Sequence, residues 1–386
     1  MNVSYIITFV FIVTVASFSF SQVYASPNIL DGDYTITRFT AGLEYPVAMT
    51  FVGEDILVIE KDTGKVIQIQ YNDKGVSYNR VVLDLPVSGG DESGMLGIAS
   101  VSNHVYLHFT EAMLGFDQSY NIENSRHVVY RYDWNGENLI NPILIKELPI
   151  FVISHAGGVI TEGKNNEIYF VIGDQSQRTT FQNIPIDTIY ETGSIFKLDT
   201  KSNSIELFAM GIRNSFGLAV DPITEYLWDT ENGPTTFDEI NLVKPRFNSG
   251  WVTVMGPADR NDSDLSNLSP KPFENFVYSD PEFSWHEPVV VTAIAFPDKY
   301  SLSKYPDSLF VGDFAHGRIY NFQLNSDRTG FDFANPHLSD LVGDPTDNIE
   351  EILFAEDFAG VTDIKFHNGE MYVVVFGDGS IYKIYT

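Results

Sequence analysis

The chain contains no cysteine. Disulfides, thiolate metal sites and cysteine nucleophiles are therefore excluded, and stability has to come from burial, backbone pairing and bound cations. Basic residues are scarce as well. Lys and Arg number 23 against 52 Asp and Glu, a net charge of -29 spread along the chain. A surface of that sign repels phosphate backbones, which excludes nucleic acid as an expected partner and leaves carboxylates that keep the protein soluble. Divalent cations are the exception, because clustered carboxylates and carbonyls bind hard ions.

Long apolar runs are missing beyond the first 25 residues, so no membrane span is expected in the mature chain. Residues 1–25 carry no charged side chain and end in Val23-Tyr24-Ala25. They read as a cleaved signal peptide, with a retained anchor as the alternative, and place the protein outside the cell, in a periplasm or on the cell surface. Residues 26–386 read as one domain. Long amphipathic helical stretches are also missing, which excludes α/β and helical-bundle architectures.

What the sequence does have is a repeated unit: a short apolar strand, a turn, an aromatic-rich strand, a polar turn and a third strand. Its copies begin at Val47-Ala48-Met49, Met95-Leu96-Gly97, Gly158-Val159-Ile160, Phe216-Gly217-Leu218, Thr292-Ala293-Ile294 and Thr362-Asp363-Ile364. Period-two alternation and β-branched or aromatic enrichment mark strands, and Asn-Gly, Asp-Gly and Thr-Gly pairs mark hairpins. Repeated strand sets of this kind predict an all-β, six-bladed β-propeller. The last copy holds only three strands, and Tyr34 to Phe39 is expected to supply its fourth and close the ring. Met113 to Arg126 and Gly256 to Pro281, rich in Asn, Asp, Ser and Pro, are expected as surface loops. Asn261-Asp262-Ser263 and Asn267-Leu268-Ser269 match the glycosylation triplet.

Four clusters interrupt the strand pattern by setting polar side chains beside glycine at strand starts. They are Asp91-Glu92-Ser93-Gly94, Ser154-His155-Ala156-Gly157-Gly158, Gly211-Ile212-Arg213-Asn214-Ser215, and Thr230-Glu231-Asn232-Gly233-Pro234 with Asp238-Glu239-Ile240-Asn241. A propeller gathers such strand ends at one mouth of its channel. With the Gly173-Asp174-Gln175 and Asn248-Ser249-Gly250-Trp251 segments, these clusters resemble the glucose/sorbosone dehydrogenase family of soluble aldose sugar dehydrogenases, which use pyrroloquinoline quinone.

The resemblance implies that His155 is the base that takes the proton of the anomeric hydroxyl while hydride passes to the quinone. Arg213 would stabilise the charge that develops on the quinone, and Asn214 would hydrogen-bond it. Glu92, Trp285 and His316 would also face the cofactor. Gly233 and Pro234 would offer main-chain oxygens to a calcium ion, and Glu239, Ser249 and Asp259 would hold a second one. A small sugar would be the substrate.

The chain departs from the family pattern at three places. Phe314-Ala315-His316 stands where relatives carry a Lys, Gly360-Val361-Thr362 stands where they carry Arg-x-Arg, and Glu92 replaces a neutral Gln. Three readings are therefore weighed: a quinone-dependent aldose dehydrogenase, a secreted binding module that has lost the quinone, and a calcium-dependent lactonase-like hydrolase.

Overall fold

The computed structural model describes residues 26–71, 77–119, 121–177, 180–184, 191–261 and 263–386. The leader expected over 1–25 and the Asp262 of one glycosylation triplet lie outside the described residues. Apart from five short 3-10 turns, the described residues form strands joined by loops.

The strands make six sheets of four to six strands, plus a two-stranded ribbon, in a β-propeller arrangement. In chain order the innermost strands are Pro46–Val52, Met95–Val101, Ile160–Glu162, Ser215–Val220, Val291–Ala295 and Val361–His367. Each packs against the next, and the last lies against the first. Within every sheet the next two strands hydrogen-bond outward in antiparallel order, and the third and fourth sheets add parallel pairs at their outer edges. An example is Met95–Val101, His104–Ala112, Ser125–Trp134 and Leu139–Leu148. The chain also pairs its two ends, with Thr35–Thr40 antiparallel to Ser380–Tyr385.

Alternation decides what each face buries. Apolar side chains from adjacent sheets interleave into clusters such as Leu57, Ile59, Val105, Leu107 and Phe109, all nearly inaccessible. Each such side chain contributes roughly 1.5–3 kcal/mol when fully buried. Close approach of the inner strands also dictates residue size. A Cβ on Gly97 would lie 2.3 Å from the Gly158 carbonyl oxygen, so only glycine fits there.

Five of the six inner strands share one irregularity at the same end. The ladder register slips between Pro46 and Ala48, Met95 and Gly97, Ser215 and Gly217, Val291 and Ala293, and Val361 and Asp363. Each slip is a β-bulge that leaves one residue outside the pairing and turns its side chain away from the ladder. The residues so released, Val47, Leu96, Phe216, Thr292 and Thr362, line a single cavity of about 260 Å³ at that mouth. Val159, just ahead of the third inner strand, joins them.

The expected surface loops contain more structure than their composition announces. Gln118–Ser119 pairs in parallel with Ser88–Gly89, and Val277–Tyr278 extends the third sheet through Phe247–Asn248. The expected strand sets also miss the outermost strands, whose burial is uneven. Leu139–Leu148 leaves Ile140, Ile143 and Leu144 exposed, so no clean alternation marks it.

Candidate functional site

At the bulged end, three neighbouring sheets place His155, Asp174, Arg213 and Glu92 in one hydrogen-bonded group. His155 precedes the third inner strand at φ 53°, a left-handed conformation that a non-glycine residue adopts only when its surroundings hold it there. Two backbone hydrogen bonds hold it. Its backbone N–H donates to the Glu92 carboxylate, and its carbonyl accepts from the Gln175 N–H at 3.3 Å. Gln175 is itself fixed, with Oε1 accepting from Phe151 N at 2.8 Å and the amide nitrogen 2.7 Å from His127 Nε2.

The ring of His155 is oriented at both nitrogens. Nδ1 lies 2.6 Å from Asp174 Oδ1, and Nε2 lies 3.1 Å from an Arg213 terminal nitrogen. Guanidinium only donates, so Nε2 carries the lone pair and Nδ1 carries the proton, which it gives to Asp174. The second oxygen of Asp174 accepts from the Trp251 indole at 2.7 Å, and that ring lies 5.4 Å from the Arg213 guanidinium. His155, Asp174, Trp251 and Arg213 thus close a loop of contacts around one imidazole.

Arg213 is almost fully buried. One terminal nitrogen donates to the Asn232 carbonyl at 2.5 Å, and its backbone N–H donates to Glu231 at 2.6 Å. Burial pulls its guanidinium below the ordinary value, against the nearby Asp174 and Glu231 carboxylates that support the charge. Burial raises the Glu92 carboxyl, which His155 opposes. Glu92 also accepts from Asn214 at 3.1 Å. Glu92, Asp91, Lys61 and Gly157 line the 260 Å³ cavity; His155 and Arg213 do not line it, and His155 meets its wall through Glu92.

The Gly233-Pro234 turn follows Asn232, whose carbonyl Arg213 holds, so it adjoins the same group. A Cβ at Gly233 would sit 2.2 Å from the carbonyl oxygens of both Thr236 and Phe237, so the turn admits only glycine. Asp238 ties it to the fifth sheet: one oxygen accepts from Gly233 N at 2.9 Å, the other from Val289 N at 2.9 Å and Val290 N at 2.7 Å.

Beside that turn, Asp229, Glu231 and Glu239 are buried carboxylates on two paired strands. Burial and mutual repulsion push Glu231 up to about 8, and Asp229 and Glu239 well above their ordinary range. Both oxygens of Asp229, and the side-chain oxygens of Asn214, Asn232 and Asn241, are buried and meet no donor among the described residues. Oxygen atoms in that state suit a hard cation.

Several expected site residues stand elsewhere. Trp285 is packed between Phe283, Tyr320 and Phe322 in the core and is absent from the cavity wall, because its strand pairs with Asp238–Val243 as a sheet interior. The expected trio of calcium ligands divides. Ser249 donates to Glu231 at 2.6 Å and lies 3.5 Å from Glu239, whereas Asp259 is exposed on the 3-10 turn Ala258–Arg260. No three His, Cys, Asp or Glu side chains are arranged to hold a metal among the described residues. His316 is half-exposed and lines a neighbouring cavity of about 810 Å³ with Tyr45, Phe314 and Gly360.

Sequence reasoning assigned no role to Asp174, Trp251, Lys61, Val290 or Phe376. Only the fold brings them together.

A propeller with an oriented imidazole, a buried guanidinium and a glycine-proline turn at one channel mouth defines a class of site, and comparison with known proteins gives the family. The glucose/sorbosone dehydrogenase family model matches residues 43–341, and the chain belongs to that family. It is 26% identical over 246 residues to quinoprotein glucose dehydrogenase B of Acinetobacter calcoaceticus, covering 55% of this chain and 51% of that protein. It is 23% identical over 185 residues to the aldose sugar dehydrogenase YliI of Escherichia coli strain K12, covering 45% of this chain and 49% of that one. The chain thus spans about half the length of these curated relatives. Among solved structures, a glucose dehydrogenase superposes with a TM-score of 0.69 at 19% identity, over 90% of this chain and 99% of that one. The PQQ-bound aldose sugar dehydrogenase of Streptomyces coelicolor superposes at 0.65 and 21% identity, over 93% and 99%.

Proposed function

We propose that this protein is an exported oxidoreductase that removes hydride from a CH–OH carbon of a sugar, with His155 as the base. The observation that carries the reading is the oriented imidazole: Asp174 holds the proton on Nδ1, which leaves the Nε2 lone pair facing Arg213 at 3.1 Å. A sugar hydroxyl that displaces the guanidinium contact meets an acceptor whose tautomer is already set. Arg213 then lies beside the reacting oxygen, where a permanently charged donor stabilises developing negative charge. Glu92 and Asp91 on the cavity wall accept hydrogen bonds from further hydroxyls.

Six sheets acting as six blades, with Thr35–Thr40 fastening the ring, keep these groups at one mouth, and residues 1–25 serve as the export leader. Calcium fits the chemistry of the donor set. Gly233 and Pro234 would hold it with main-chain oxygens, next to the unpartnered side-chain oxygen of the adjoining Asn232. Bound there, it would neutralise buried carboxylates and polarise an adjacent oxygen.

Pyrroloquinoline quinone, a tricarboxylate, fits the cavity poorly. Of the cations at this mouth, Lys61 lies 2.8 Å from Asp62, and Arg213 is committed to Asn232 and His155. Asp91 and Glu92 add negative charge to the lining, and Val290, Phe314, Thr362 and Phe376 offer no charge. The deciding experiment is sugar-dependent dye reduction by the calcium-loaded protein across aldoses. Turnover that falls about 10²–10⁴-fold in His155→Ala supports the dehydrogenase. Sugar binding without turnover selects a binding module, and lactone hydrolysis without an electron acceptor selects the hydrolase.

A further inference from the structure

The cavity has two unlike sides. All the charged lining residues, Lys61, Asp91 and Glu92, come from the first and second sheets, beside Val47, Leu96, Gly157 and Val159 of the first three, whereas the fifth and sixth supply the uncharged Val290, Thr292, Phe314, Thr362 and Phe376. We infer that the apolar side is the electron-acceptor site and that it takes an uncharged planar quinone ring, with the sugar on the polar side. This rests on the dehydrogenase reading above and names the acceptor that reading leaves open.

The apolar side is built to stay in place. Val290 is 38% exposed and holds φ 62°, a left-handed conformation that is a genuine outlier for a β-branched residue. Its N–H is clamped by Asp238, and its carbonyl accepts from Phe314 N at 2.8 Å. Phe314, 39% exposed, meets Phe376 at 5.5 Å between centroids in an edge contact, and Phe376 meets Tyr45 at 5.0 Å. Phe376 N in turn donates to Gly360 at 3.0 Å, and a Cβ on Gly360 would come within 3.0 Å of the Phe314 ring.

Strain and exposed aromatic area are both costly, and here they coincide on the wall supplied by the fifth and sixth sheets. The bulge residues Val47, Leu96, Phe216, Thr292 and Thr362, with Val159, complete a collar with no charge in it.

A flat neutral ring matches such a wall through apolar burial and edge or face contacts with Phe314 and Phe376. A polycarboxylate would have to strip its charges of water against phenyl rings, beside Asp91 and Glu92, where Lys61 is held by Asp62 and the terminal nitrogens of Arg213 by Asn232 and His155. The electron balance closes with a quinone. The sugar carbon gives a hydride to the quinone and its hydroxyl gives a proton to His155. The hydride and one proton make the hydroquinone, and the sugar leaves as the carbonyl product.

The test is calorimetric titration of the calcium-loaded protein, without sugar, using 2-methyl-1,4-naphthoquinone and pyrroloquinoline quinone in separate runs. The naphthoquinone should bind saturably, independent of salt, and about 100-fold more tightly than the tricarboxylate. Phe314→Ala, a rim change that leaves the core intact, should weaken it about tenfold, and Phe314→Lys with Thr362→Arg should invert the preference. Tighter binding of the tricarboxylate by the unaltered protein overturns the inference, as does naphthoquinone affinity untouched by Phe314→Ala. The two readings separate cleanly. Naphthoquinone binding without sugar oxidation sinks the dehydrogenase alone, and sugar oxidation that runs only with the tricarboxylate sinks the acceptor assignment alone.

Discussion

The two sides of the channel mouth are held by opposite means. On the polar side each group is fixed by charge-assisted hydrogen bonds: His155 between Asp174 and Arg213, Glu92 between His155 and Asn214. On the apolar side the backbone does the fixing, with Asp238 clamping two valine N–H groups so that Val290 and Phe314 project into the cavity. The polar side can therefore set protonation, and the apolar side can only select shape and charge. A site that needs both a base and an acceptor pocket gains from this division, because either side can change without moving the other.

Trp285 belongs to the core and to neither side of the mouth. Trp285→Ala should cost about 3–5 kcal/mol of stability, measured by denaturant unfolding, and leave the sugar KM unchanged while the protein is folded. A raised KM with unchanged stability would return Trp285 to the cavity.

Next is the polar side itself. Asp174→Asn should lower sugar-dependent turnover about 10²-fold and alter its pH profile, because an amide no longer fixes the proton on Nδ1. Unchanged turnover would mean that Arg213 alone orients the ring.

The histidines beneath the polar side sharpen the picture through acid. His108 and His127 are buried, and burial lowers them to about 3 and about 4. Unfolded histidine binds a proton near pH 6.5, so between that value and pH 4 unfolding takes up protons at these two sites and their contribution to stability falls as pH falls. The raised carboxyls of Asp229, Glu231 and Glu239 act in the opposite sense, so the readout is the difference: as pH falls from 6.5 to 4, His108→Leu should gain melting temperature relative to the parent. A profile identical in the variant contradicts the assignment.

The smallest effect is expected at the apolar wall. Val290→Gly relieves the left-handed strain while removing a partly exposed side chain, so stability should stay within about 1 kcal/mol of the parent or rise. A loss typical of a core truncation, 2 kcal/mol or more, would show that Val290 is packed rather than displayed.

Much of this organisation is legible in the chain. The inner, second and third strands of each sheet read as short, nearly continuous apolar runs because both faces pack on neighbouring sheets, and their boundaries fall within a few residues of those runs. Outer strands such as Leu139–Leu148 escape notice because exposure erases their pattern. His155 and Arg213 announce themselves as polar residues beside glycine at strand starts. Asp174 lies 19 positions from His155, and Trp251 lies 77 from Asp174, so no local spacing joins them. Trp285 misleads because an aromatic near a site and an aromatic in a core look alike in sequence.

Hydrophobic periodicity and turn residues, which act over a few positions, were enough to determine an all-β, repeated architecture with its polar clusters at strand starts. Which of those clusters meet, that Val290 and Phe314 rather than cations face them, and that Trp285 turns inward were decided only by tertiary structure. The reason is that the bulges at the inner-strand starts, which aim side chains into the channel, depend on register between strands and leave no signature within one.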